Sequence, residues 1–359
     1  MWREGTAAGS RRSADGTRSE MTGNSTQLAG PFEQDVPALR SMRSIYLRAI
    51  GTRLTTGVPV FLLVMLAGTS LSNFMPGSAA QTILGPYATR AQIAVFNAMY
   101  GYNKPLLVRY ALWLWALVHG NLGSSIYNGQ SEVALLAARA PVTFEIALVT
   151  MFVSLLVAIP LALFTAMRPG GVTDSGLRAI SSFLLSIPSF VAVVFFGFVF
   201  ALTLKWLPAT GWVAFPDDPL QNLRYVALPV ICLAINQVAY FYRVSRGEFA
   251  ATLQEDFVLV ARSKGLPIRY ILLRHVLRPS QTHVLTVFGL SLSYLLGGSF
   301  IVENYFAVPG LGWQMVYAVE AHDLPTVQGI LCVTVVLFIL IFMLVDIGNA
   351  LIDPRVSVS

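Results

Sequence analysis

Residues 324–345 read LPTVQGILCVTVVLFILIFMLV, 22 residues without a charge, bounded by Asp323 and Asp346. A bilayer core about 30 Å thick needs about 20 apolar residues at 1.5 Å rise each, so this stretch can cross one as a helix. Five more windows between charges share its character. They are Leu54–Phe74 (21 residues), Ile146–Met167 (22), Ala179–Leu204 (26), Tyr225–Tyr242 (18) and Pro279–Val302 (24). The first is rich in Thr, Ser and Gly, and the fourth is short. In lipid a segment must satisfy its own backbone hydrogen bonds, so each window is expected as a helix. The expected fold is all-α: a polytopic membrane protein with six transmembrane helices, at about 54–74, 146–167, 179–204, 225–242, 279–302 and 324–345.

Composition agrees. Of 359 residues, 55% are hydrophobic and 12% charged, against about 25% charged in soluble domains. Leu106–Gly120, with Trp113 and Trp115, is bracketed by Arg109 and His119. It reads as an amphipathic helix at the membrane interface rather than a seventh span. With six spans the two termini share a side. Eight Lys/Arg precede the first span, two flank the second connection (Arg168, Arg178), seven lie between Arg243 and Arg278, and Arg355 follows the last. The other side holds six. The positive-inside rule then places both termini in the cytoplasm. That uneven distribution also accounts for the basic net charge, so no nucleic-acid partner is expected.

Residues 1–43 are rich in Ser, Gly, Thr and Arg and read as a disordered cytoplasmic tail without the apolar h-region of a signal peptide. Met21 and Met42 leave the start of translation open. Residues 75–140 form an external segment too long for a bare loop, so ordered helix is expected in it. Residues 44–356 make up the transmembrane domain. Cys232 and Cys332 fall inside spans and read as small packing residues. His119, His275, His283 and His322 are too dispersed for a metal site. Pro160, Pro188 and Pro229 are expected to kink spans. Glu145 and Asp346, at span edges, suit headgroup contact or helix–helix pairing.

The connection 243–278 is the one substantial cytoplasmic feature. From Gln254 to Gly265 the charges follow a helix dipole. Glu255 and Asp256 stand at its start, Arg262 and Lys264 at its end. Gly265 supplies a left-handed terminator and Pro267 blocks continuation. Phe257, Val260 and Ala261 lie at i, i+3 and i+4, with Leu253 a turn earlier, which makes one apolar stripe. A second helix is expected from Pro267 to about Leu277. The pattern fits a helix lying on the membrane surface and equally one docked into a cytoplasmic partner.

The run Glu255-DFVLVARSK-Gly265, followed by Arg274-HVL-Arg278, resembles the EAA-type loop of ABC importer permeases, above all the dipeptide/oligopeptide subgroup. Other fragments fall in that subgroup's order: Gly120-NLGS-Ser125, Pro141-VTF-Glu145, Leu185-SIPS-Phe190, Trp206-LPAT-Gly211, Glu303-NYFAVPGL-Gly312 and Leu351-IDP-Arg355. The resemblance covers about residues 45–356. The chain departs from the loop consensus at Leu259 and Val260, keeping Ala261 and Gly265. It also has Asn121 where the subgroup usually has Asp, and lacks the acid that usually follows Pro-Gly near the first span.

The resemblance implies a type I ABC importer permease subunit in the bacterial inner membrane. It would pair with a second, homologous permease subunit, as a heterodimer, on one or two cytoplasmic ABC ATPases. An extracytoplasmic binding protein would deliver di- or oligopeptides. The coupling residues would be Leu253, Glu255, Asp256, Phe257, Val260, Ala261, Arg262, Lys264 and Gly265, with Glu303 and Asn304 as candidate contacts to substrate or binding protein or, equally, as helix caps. No catalytic residue, metal or bound cofactor is expected. The sequence has no Gly-Lys pair, hence no phosphate-binding Gly-x-x-x-x-Gly-Lys-[Ser/Thr], so ATP would be used by the partner ATPases. A related permease for nickel or another small polar solute is the alternative. A transporter driven by an ion gradient is the rival class, and it would be expected to place charge at mid-membrane, where these windows have none.

Overall fold

The computed structural model describes residues 42–74 and 77–352. The expected tail lies outside the described residues up to position 41, as do Pro76 and the end that carries Arg355. Of the described residues, 45–352 belong to one compact unit. Among the described residues the regular structure is helical, apart from an isolated bridge between Ser124 and Ser131. In order the helices are α1 (Met42–Phe74), α2 (Ala79–Leu84), α3 (Arg90–Met99), α4 (Leu106–Val118), α5 (Glu132–Ala166), α6 (Val172–Leu185) and α7 (Ser189–Phe196). After them come α8 (Pro219–Thr252), α9 (Asp256–Ser263), α10 (Ile268–Tyr270), α11 (Leu277–Gly298), α12 (Phe300–Tyr305), α13 (Leu311–Glu320) and α14 (Leu324–Ile352). The chain is an all-α membrane protein.

Among the described residues, five helical stretches are long and apolar enough to cross a membrane, and a sixth crossing arises if α6 and α7 count as one broken span. In the third window the kink expected at Pro188 is a full break between two helices. α6 ends at Leu185, and the chain resumes at Ser189 with a bend of 95°. Pro188 causes the break: it has no N–H to donate and disfavours helical geometry at Ile187. Ser186 and Ile187 close α6 with short bonds to the Phe183 and Leu184 carbonyls, 3.0 and 3.2 Å. Pro160 and Pro229 lie inside α5 and α8 without ending them. Beyond α7 the chain continues as a π-helical turn, Gly197–Thr203.

α5 and α8 form the central pair. The buried side of α5 carries Thr143, Ala147, Thr150, Ser154, Ala158, Ala162 and Thr165 at steps of three and four. Small residues at this period let two backbones approach, the usual basis of helix packing in lipid. Leu228, Cys232, Leu233 and Phe241 of α8 complete the contact. Large apolar residues on α5 point the other way, with Phe152 and Leu156 exposed. An apolar exterior is what a lipid solvent requires.

α14 packs along α11. A Cβ at Gly289 would lie 2.5 Å from Val345, and one at Gly348 2.6 Å from Leu285. The guanidinium of Arg53 binds both carboxylate oxygens of Asp346, tying α1 to the foot of α14. α4 has 13 residues, about 20 Å of helix, too short to span. Within the segment 75–140, α2, α3 and α4 lead into a turn whose Ser125 hydroxyl and Ile126 N–H both bind Asp323, ahead of α14.

Candidate functional site

α8 has 34 residues, about 51 Å at 1.5 Å each, so it outruns a bilayer core. Its last turns extend toward the 253–267 loop. A buried ion pair holds that extension. Asp174, at the start of α6 and buried, accepts from Arg246 Nε at 2.9 Å and from its terminal nitrogen at 2.8 Å. The Gly170 N–H adds a bond at 2.9 Å, and Arg178 stands 3.6 Å away. The turn between α5 and α6 is thereby fastened to the end of α8, 72 residues on. In the sequence Arg246 and Arg178 read only as orienting charge. The available signal was Asp174, a lone acid in a basic turn.

α8 stops at Thr252, and two tight turns at Gln254 and Glu255 reverse the chain. α9 follows, with Glu255 as N-cap and Lys264 as C-cap. The close of α9 is a full Schellman motif: Gly265 N–H donates to Arg262 O at 2.9 Å and Leu266 N–H to Ala261 O at 3.3 Å. Gly265 has φ +72°, the left-handed value that a side chain disfavours. The terminator inferred from Gly265 and Pro267 is where the sequence put it.

The single apolar stripe is not what forms. Leu253 and Ala261 are buried in the chain's own core, joined there by Val258, which the stripe omitted. They hold the loop to the rest of the chain and cannot face another protein. Phe257, Leu259 and Val260 turn outward, 44, 51 and 52% exposed. An eight-residue helix at 100° per residue separates positions 258 and 261 from 257 and 260, so α9 carries two apolar faces. Glu255, Asp256, Arg262 and Lys264 are exposed around the outer one. The expected helix 267–277 is not separate either. α10 passes through a π-helical turn, Ile271–Val276, straight into α11, so Ile268–Tyr305 reads as one apolar stretch. His275 in that turn lies 6.4 Å from the Phe257 ring and 5.7 Å from Tyr270.

Glu303 is not a surface contact. It is fully buried. One carboxylate oxygen accepts from Thr143 at 2.9 Å and Ser299 at 2.7 Å, the other from the Gly312 and Trp313 N–H groups at 2.7 and 3.1 Å. It caps the start of α13 and ties that helix to α5 and α12. Removing a charge from water is tolerated because every side of the carboxylate is bonded. Asn304 is exposed. The two residues were read together, yet one position on a helix separates inward from outward.

Residues 158–358 match the family model described as binding-protein-dependent transport system inner membrane component. A peptide transport system permease protein of Brucella abortus is 36% identical over 304 residues, 85% of this chain and 97% of that one. The oligopeptide transport system permease protein AppB of Bacillus subtilis is 29% identical over 308 residues, 85% of this chain and 98% of its own. Among solved structures, the inward-facing MetNI methionine ABC transporter covers 62% of this chain and 97% of its own at 16% identity and a TM-score of 0.49.

Proposed function

Because the chain belongs to the family of binding-protein-dependent transport system inner membrane components, we propose that it is the permease subunit through which an ABC importer passes di- or oligopeptides. The observation that carries the coupling part of this reading is α9. One apolar face locks it to the core through Val258 and Ala261, beside the buried Leu253 that precedes it, while the other, with Phe257, Leu259 and Val260, stays exposed within a ring of charges. A rigid apolar knob beyond the end of a long span suits a cleft on a cytoplasmic ABC ATPase. Asp256, Arg262 and Lys264 would pair with charges at the rim of that cleft. Glu255, as N-cap, and Gly265, as terminator, set the length of the knob.

In this reading both termini are cytoplasmic, a homologous permease subunit completes a heterodimer, and one or two ATPases bind the ATP. An extracytoplasmic binding protein delivers peptide to the opposite face, where Asn304 is an available contact. The relatives' names support peptide as cargo. Cells lacking the gene, supplied with a panel of peptides and of nickel, test it: loss of peptide uptake with nickel uptake intact supports the reading, and unchanged uptake of every peptide defeats it. The purified permease pair without its ATPases should show no substrate-stimulated ATP hydrolysis.

A further inference from the structure

We propose that the groove at the bend between α6 and α7 is the part of the translocation path that holds a peptide by its backbone. The inference rests on the peptide-permease reading above. The groove has a volume of about 470 Å³ and is lined by Pro188 at the bend, Asn236, Gln237 and Tyr240 from α8, and Ser291 and Tyr294 from α11. Sites for small molecules run from about 300 to 1,000 Å³, so the size suits a short peptide or a few residues of a longer one. Asn236 and Gln237 stand midway along α8, about 25 Å from either end, which is mid-depth for a spanning helix.

The polar atoms are what single this groove out. Gln237 is 5% exposed and Ser291 3%. The Gln237 Oε1, the Ser291 Oγ and the Asn236 Oδ1 are buried without a hydrogen-bond partner among the described residues. A buried polar atom left unpaired costs free energy, and in lipid there is no bulk water to relieve it. Native folds keep few such atoms, and three of them on residues that line one groove call for a partner from outside the fold. Asn236 is also held in place: its Nδ2 donates to the Ile187 carbonyl at the bend, 3.5 Å away. Two amide oxygens accept hydrogen bonds and the Ser291 hydroxyl both donates and accepts. That set matches the N–H and C=O groups of a peptide backbone. The exposed rings of Tyr240 and Tyr294 add flat walls for apolar side chains. Among the described residues, no Asp, Glu, Lys, Arg or His lines the groove. It therefore recognises what all peptides share and ignores the charge on which they differ.

The test uses the complete importer, with both permease subunits, ATPases and binding protein, reconstituted in liposomes and supplied with labelled Ala-Ala-Ala, Ala-Lys-Ala and Ala-Glu-Ala. Gln237→Leu keeps the side-chain volume and deletes the unpaired oxygen. Uptake of all three peptides is expected to fall at least tenfold and to a similar extent, while the thermal midpoint of the complex stays or rises. Ser291→Ala, a smaller change, should lower uptake in the same even way. Unchanged uptake in both variants would overturn the proposal. So would loss of the second permease subunit on size-exclusion chromatography, because the groove would then be an interface between subunits. A wild-type importer that takes up none of the three peptides would instead overturn the peptide reading itself.

Discussion

Truncating Arg246 to Ala would leave Asp174 buried with the Gly170 N–H and a distant Arg178 as its remaining partners. Breaking a buried ion pair from one side costs about 3–5 kcal/mol. The complex should therefore unfold several degrees earlier, which differential scanning calorimetry reads. Arg246→Lys should recover little, since Lys cannot reproduce the two-pronged contact. Glu303→Gln tests the other buried carboxylate. A Gln side chain carries one oxygen where Glu303 uses two, so it cannot accept all four bonds. Hydrogen bonds to a charged group are worth about 1.5–3 kcal/mol each, so the expected result is a lower thermal midpoint. Affinity for the binding protein, measured on complex that remains folded, should be unchanged. A lost affinity at full stability would return Glu303 to the role of a surface contact. The acid was easy to notice in Glu303-Asn304 and its burial was not, because burial depends on Thr143 and Gly312, which approach only after folding.

At the level of the element, α9 has two faces that separate experimentally. Val260→Asp puts a charge on the exposed face and should leave membrane insertion and the thermal midpoint alone while abolishing co-purification of the ATPases. Val258→Asp buries an unpaired charge in the core and should lose the folded protein itself. If both variants lost only the ATPases, the assignment of faces would be wrong. Gly265 adds a graded test. A Cβ there would meet nothing within 4 Å, so the cost of a side chain is conformational, about 1–2 kcal/mol for an ordinary L residue. Gly265→Asn should bind ATPases nearly as the parent does, and the β-branched Gly265→Val should bind far less. The ends of α9 were readable in advance because caps and terminators act within four residues. Its facing was not. With apolar side chains at 257, 258, 259, 260 and 261, neither face is marked until a core exists to take one of them.

For the molecule as a whole, the proposed orientation rests on charge and is open to test. A single Cys at Ser263, in a chain with Cys232 and Cys332 replaced, should react with a membrane-impermeant maleimide in inverted vesicles and not in intact cells. The opposite result would reverse the topology and remove α9 from the reach of any ATPase. The native cysteines are buried, so their replacement by Ala or Ser should cost little labelling background.

The apolar windows, their charged ends and the Gly265 terminator were determined by the sequence alone, because span length and helix capping depend on neighbouring residues and on a solvent whose thickness is known. The bend at Pro188 was half legible: proline marks a break, but its 95° angle depends on what packs around it. Tertiary structure decided the rest. It joined Asp174 to Arg246 and Glu303 to the start of α13, it drew Leu253 and Ala261 inward, and it left Phe257 and Val260 outside. It also gathered Asn236, Gln237 and Ser291 from two helices around one groove. Each of these turns on which residues distant in sequence come within 3–4 Å, and only packing could choose it.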